Sequence, residues 1–287
     1  MAKLEPLVDG IAFGEGPRWR GDRLFFSDIA DHRVKSVSEA GDLAVELELG
    51  ARRPSGLGWL PDGRLLVVSM RDRKLLRRET SGELTELADL SQWCGGDAND
   101  MVVDAAGRAY VGNIGFDLED SPMQIQPTHI VCVEPDGRAR PVAEKVMCPN
   151  GMVIAQDGRR LIAAESAGGC LTAFDLEPDG SLARRRVFAA LPKGVAADGI
   201  CIDAEDAVWV ASPMSQEFLR VHEGGRVSER ISCAPSHAIA CMLGGAGRRT
   251  LFAITCGTTH IAEAERAQPR SGRIQLARVE VPGAGLP

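Results

Sequence analysis

The sequence predicts an all-β fold, a six-bladed β-propeller with four-stranded antiparallel blades. Three observations predict it. A short polar or Gly-containing anchor recurs six times, at Glu15-Gly16-Pro17, Ser55-Gly56-Leu57, Asn99-Asp100-Met101, Asn150-Gly151-Met152, Asp198-Gly199-Ile200 and Ala240-Cys241-Met242. The anchors stand roughly 40 to 50 residues apart, the period of propeller blades. Each is followed by an apolar strand, a tight turn that carries Gly in five of the six, and a second apolar strand; the abundance of Gly, 32 residues, suits so many tight turns.

The clearest unit runs from Asn150 to Leu191. Gly151 to Gln156 is an apolar strand and Asp157-Gly158 a hairpin turn, since Gly accepts positive φ. Leu161–Glu165 is the second strand and Cys170–Leu176 the third. Pro178-Asp179-Gly180 turns the chain into a more polar fourth, Leu182 to Ala190. Apolar inner strands with alternating outer ones suit a blade packed between neighbours. The other units repeat this grammar. Pro61-Asp62-Gly63 turns the second. Ala105-Ala106-Gly107 and Pro135-Asp136-Gly137 turn the third, Ala204-Glu205-Asp206 the fifth, and Gly244-Gly245 with Gly247 the sixth. The third carries an extra loop, Asn113 to Thr128, either a lid over a site or an ordinary insertion. The sixth has three strands after its anchor, ending with Gly272 to Val281. The N-terminal Lys3 to Val8 is therefore expected to supply its fourth and to close the ring.

The repeat makes the chain one domain over residues 1–287. The net charge of −7 argues against a nucleic-acid-binding surface. Met1 to Asp9 lacks the apolar core of a signal peptide, and no run approaches the roughly 18 apolar residues that span a bilayer. The eight cysteines form no CxxC pair and sit mostly in apolar strand patterns. They read as free thiols of a cytoplasmic protein. The oligomeric state is not legible.

In a propeller the chain crosses one end of the central channel as it enters each inner strand. All six anchors therefore meet at one mouth. Glu15, Asn99, Asn150 and Asp198 bring two carboxylates and two amides there, a set that suits a hard divalent cation. Asn, Asp and Ser before Gly are also ordinary turn residues. Glu15 has no such turn role.

These motifs, with Gly14-Glu15-Gly16-Pro17-Arg18-Trp19, Asn99 to Asp104, Pro149 to Met152, Asp198 to Ile200 and Ala240 to Gly245, resemble the SMP-30/gluconolactonase (regucalcin-like) family over essentially the whole chain. The resemblance implies Glu15, Asn150 and Asp198 as metal ligands. It makes Asp198 also the general base, and places Asn99 beside the metal in contact with substrate or bound water. It implies hydrolysis of a small-molecule lactone, chiefly a sugar lactone or related cyclic ester. The implied cofactor is one divalent cation, calcium first, with zinc, magnesium, manganese or iron as alternatives. Asp97 departs from the family pattern, in which an Arg at this position often binds sugar hydroxyls.

Several further residues are candidates. Asp100 is a substrate-side or turn residue, and His237, just before the sixth anchor, a substrate contact. Glu165 either reaches the pocket or pairs with an Arg. Arg52 and Arg53 are either contacts for an acidic substrate or, the favoured reading, a solvated loop, and Trp19, Trp59 and Trp209 read as packing residues. No Gly-x-Ser-x-Gly motif is present. The alternatives to a lactonase are a propeller that binds a metal or small molecule without catalysis, and a phosphotriesterase-like hydrolase.

Overall fold

The computed structural model describes residues 3–117 and 123–286. They form six four-stranded antiparallel sheets arranged as a six-bladed propeller. Blade 1 is Gly14–Arg20, Arg23–Asp28, Arg33–Ser38 and Leu43–Glu48, ordered from the axis outward. Blades 2 to 5 repeat this order, beginning with inner strands Pro54–Trp59, Ala98–Val103, Pro149–Ile154 and Ile200–Ile202. In blade 4 the third and fourth strands, Cys170–Leu176 and Leu182–Ala190, fall where the sequence puts them.

Blade 6 closes the ring. Its strands from the axis are His237–Gly244, Thr250–Cys256 and Gly272–Arg278, and its outermost is the N-terminal Glu5–Ile11. Glu5 pairs with Leu276 and Ile11 with Gly272, so the chain's two ends share one sheet. The expected closure is present, shifted from Lys3–Val8 to Glu5–Ile11. The last strand stops at Arg278 rather than Val281, where the chain turns toward the channel.

Inner strands are buried on both faces, as Ala98–Val103 and Ala109–Asn113 are throughout. The outer Leu182–Ala190 is exposed over its middle. Leu66 and Val68 of blade 2 pack on Met101, Val103 and Val111 of blade 3, so the core lies between blades. The glycine after an anchor has a packing reason. A Cβ on Gly151 would lie 2.6 Å from the Ile200 backbone nitrogen, and one on Gly199 would lie 2.5 Å from the Ala240 Cβ. Only glycine lets adjacent inner strands approach so closely at the axis.

Residues 282–286 cross the opposite mouth. Ile154 N–H donates to the Leu286 carbonyl (2.8 Å), Leu286 N–H returns the bond (2.9 Å), and Ala284 N–H donates to Ile202 (3.1 Å). Ile154 and Ile202 end the inner strands that the anchors begin, so this tail lies at the other end of the channel. No helix among the described residues is long and apolar enough to cross a membrane. The eight thiols are free, and six are buried. Of the Asn113–Thr128 loop, residues 118–122 lie outside the described residues. Ile114 and Phe116 are buried against Cys148, while Met123 and Ile125 are exposed.

Candidate active and cation site at one channel mouth

The anchors carry their side chains to the axis because the ladder breaks beside them. Register slips fall between Glu15 and Arg18, Ala98 and Met101, and Pro149 and Met152. Such irregularities re-aim a side chain out of the regular pleat. The contacts that result join blades that are not neighbours. Glu15 of blade 1 hydrogen-bonds Asp198 of blade 5, and Arg18 of blade 1 reaches Asp100 of blade 3. Only at the axis do blades 1, 3 and 5 meet.

Glu15, Asn99, Asp100 and Asn150 are buried, and Asp198 is half-buried. Asn150 donates its amide N–H to Asp198 Oδ1 at 2.6 Å. Burial pushes the Asp198 carboxyl up to about 7, and the charge of Asp100 adds to this. The hydrogen bonds from Glu15 and Asn150 act in the opposite sense. Glu15 is also raised well above the usual carboxylate range, first by burial and then by the charges of Asp198 and Asp100; its bond from Gly16 N–H opposes this. Two carboxyls that share a hydrogen bond must hold a proton between them unless a cation takes its place.

The donor set fits such a cation. Asn150 Oδ1 is buried and has no hydrogen-bond partner among the described residues. A buried amide oxygen without a donor is costly and uncommon. It stands beside two carboxylates, and oxygen atoms of this kind are what calcium, magnesium or manganese select.

Asp100 is not part of this ligand set. Its Oδ1 accepts from Arg18 Nη2 at 2.7 Å and from Met101 N–H at 2.8 Å, with both side chains of the ion pair under 5% exposed. Arg18 also donates to the carbonyls of Leu57 (3.0 Å), Pro17 (2.8 Å) and Met101. It ties blades 1, 2 and 3 together under the site. Burial raises Asp100 even so, with Arg18 opposing. Asn99 accepts at Oδ1 from the Ser55 hydroxyl (3.3 Å), which orients its amide.

His237 hydrogen-bonds none of these carboxylates among the described residues. It begins its strand three residues before Ala240, and its Nδ1 lies 2.9 Å from the Pro213 carbonyl. Glu165 is held by Arg185 (2.8 Å), Thr172 (2.5 Å) and Met147 N–H (2.7 Å), so it pairs with an Arg. Burial, with Asp198's charge adding, pushes the Cys148 thiol up to about 12, which leaves no thiolate near neutral pH. Trp209 is fully buried and Trp19 stacks on Phe252 at 5.2 Å, both packing roles.

A cavity of about 520 Å³ opens at Asp97, two residues before Asn99 in the chain, and is lined by Arg53, Arg71, Arg73 and Phe116 among others. Burial raises Asp97, with Arg71, Arg53 and Arg73 opposing. Arg53 corrects an expectation. It is not solvated but 10% exposed, with Nη2 2.7 Å and Nε 2.8 Å from Glu265 Oε1. Glu265 lies on the short helix Ile261–Arg266, which the strand pattern did not indicate. The sequence reading also missed the roles of Arg18 and of the C-terminal tail. An Arg between Pro17 and Trp19, in a strand that had to be buried, was the available signal for the first.

A propeller with a ring of oxygen donors at one mouth of its channel defines the class. Residues 13–257 match the SMP-30/Gluconolactonase/LRE-like region, and the chain belongs to that family. A 6-deoxy-6-sulfogluconolactonase of Pseudomonas putida is 26% identical, the match covering 96% of this chain and 94% of that protein. A pentonolactonase of Haloferax volcanii is 25% identical over 96% and 92%. Among solved structures, a calcium-binding regucalcin of Agrobacterium tumefaciens aligns with TM-score 0.81 at 20% identity, covering 100% of this chain and 97% of the other. A gluconolactonase of Xanthomonas campestris aligns with TM-score 0.74 at 24% identity over 100% and 90%. At these identities the structural likenesses speak for the fold.

Proposed function

We propose that the chain is a divalent-cation-dependent lactonase that opens a sugar lactone or related cyclic ester. The observation that carries this is the unpartnered Oδ1 of Asn150 beside the Glu15–Asp198 pair. Glu15, Asn150 and Asp198 would hold the cation, calcium first. When bound, it would polarise the lactone carbonyl and lower the pKa of a bound water.

The chain's own groups do the rest. Asp198 is half-buried and faces the mouth, and its carboxylate takes a proton from the attacking water. The Asn150 N–H on its Oδ1 fixes which way that carboxylate points. Asn99, oriented by Ser55, presents its amide N–H to a substrate oxygen. Asp100, held in place by Arg18 and the Met101 N–H, lies behind the site, where its charge raises Asp198 and Glu15. His237, tied through Nδ1, keeps Nε2 for a substrate contact at the rim. The cavity with Asp97 and three arginines favours a polyhydroxylated or acidic lactone over a bare aliphatic one. The lactonase names of the relatives, one of them a sulfonated sugar lactonase, support this reading. The free thiols support a reducing, cytoplasmic setting.

A pH-stat screen over aldonolactones, a sugar-acid lactone, unsubstituted lactones and a phosphotriester tests the reaction class. Turnover of a substituted lactone that chelator abolishes is the expected result. Chelator-sensitive turnover confined to the phosphotriester would replace lactone with phosphoester as the substrate, and no turnover on any ester would leave a binding protein.

A further inference from the structure

The far mouth of the channel, opposite the cation site, holds a larger cavity of about 790 Å³. Its floor is the C-terminal tail from Pro282 to Leu286, and its walls are the ends of the inner strands of blades 3 to 5. Three guanidinium groups line it, those of Arg108, Arg159 and Arg248. Their partners differ. Arg108 is matched by Asp104, with Nε 2.7 Å from Oδ2, and also donates to the Pro178 carbonyl at 2.7 Å. Arg159 is exposed, and its guanidinium makes no ion pair among the described residues.

Arg248 is the anomaly. Its Nε is buried without a hydrogen-bond partner, and its guanidinium meets no carboxylate among the described residues. Burial lowers its pKa, the mark of a cation withdrawn from water with little charge set against it. Arg248 as a whole is half-buried. A guanidinium drawn partly out of water with no counter-charge is costly, and arginine in such places normally meets a carboxylate or phosphate. The position is also fixed. Arg248 follows Gly247 in a tight turn, its carbonyl accepts from Gly283 N–H at 2.7 Å, and its side chain lies against Gly283. The acidic lining residues are Asp104, already taken by Arg108, and the half-buried Glu177.

We propose that this second mouth binds a compact oxyanion, the phosphate or carboxylate group of a small metabolite, on Arg248 with Arg159 in support. Such a ligand would give the half-buried guanidinium the counter-charge it lacks, in the bidentate form that its fork accepts. Bound there, it would also touch the tail that joins blade 6 to blades 4 and 5.

Thermal denaturation and calorimetric titration of the full chain test this, with inorganic phosphate and malonate as probes and sodium chloride at equal ionic strength as control. The expected result is a rise in Tm above the chloride control with one or both probes. Phosphate alone would mark a phosphorylated ligand, and malonate alone a carboxylate. Arg248→Met is expected to keep the wild-type Tm in chloride, since it removes an uncompensated charge, and to weaken binding about 10-fold or more. Arg159→Gln, at an exposed position, provides a variant whose folding is not at issue and is expected to weaken binding about 3-fold. No excess rise with either probe would overturn the proposal. So would an equal rise in wild type and Arg248→Met, or unchanged binding in Arg159→Gln should Arg248→Met fail to fold. These outcomes stand whether or not the chain proves to be a lactonase.

Discussion

Asn150 gives Asp198 an amide N–H at 2.6 Å and leaves its own Oδ1 buried with no partner. One side chain thus orients a carboxylate and, in the proposed site, would offer a ligand atom. Asn150→Leu removes both. Cation affinity is expected to fall at least about 100-fold, beyond the loss typical of an outer partner. Asn150→Asp keeps an oxygen and is expected to retain more. Calorimetric titration of chelator-stripped protein with calcium measures both.

The raised carboxyls make the cation's effect depend on pH. Protonation of the Glu15–Asp198 pair stabilises the cation-free protein. That stability is fully present below about pH 4, the ordinary carboxylate value, and is lost as pH rises through the Asp198 value of about 7. A divalent cation held by the same oxygens would replace the shared proton. The rise in Tm on adding calcium is therefore expected to be larger at pH 8 than at pH 5, with protons released on binding. An equal rise at both pH values would count against the paired carboxyls as ligands.

Arg18 is expected to be a stability residue rather than a catalytic one. Arg18→Met leaves Asp100 buried beside Glu15 and Asp198 without its cation. It should cost about 3–5 kcal/mol, as removal of one partner of a buried pair does. Arg18→Met with Asp100→Asn should recover part of that loss. Urea denaturation of the single and double variants gives the difference.

The ring's seam carries an acid-sensitive pair. Asp31 of blade 1 meets Lys35 at 2.6 Å and Arg270 from the segment entering the last strand of blade 6. Burial pushes Asp31 up, but the hydrogen bonds and charges of Arg270 and Lys35 outweigh it and hold it at about 2. This stability is present above about pH 4 and lost as pH falls toward 2. Asp31→Asn is expected to cost on the order of 1 kcal/mol at pH 6 and almost nothing at pH 2. Denaturation at the two pH values checks the sign.

The blade count, the strand order and the closure by the N-terminus were legible because each follows from local pattern. Apolar inner strands, Gly-bearing turns and a missing fourth strand are all visible within one repeat. Glu15 stood out as a candidate because no turn needs it, and the structure places it against Asp198 at the axis. The Arg18–Asp100 pair was not, since it joins blades 1 and 3 across the axis and no periodicity encodes that distance. Arg53 looked solvated because its partner, Glu265, lies on a short helix far along the chain. The tail over the far mouth was missed for a similar reason. Its backbone bonds to Ile154 and Ile202 leave no pattern in its own few residues.

The most direct test is lactone turnover by protein stripped with chelator, followed as calcium or another divalent cation is restored. Wild type is expected to fall to background on stripping and to recover fully at about one cation per chain. Asp198→Asn is expected to stay at background throughout. Turnover that survives stripping, or that Asp198→Asn retains with cation bound, would contradict a cation held by Glu15, Asn150 and Asp198 as the centre of the reaction.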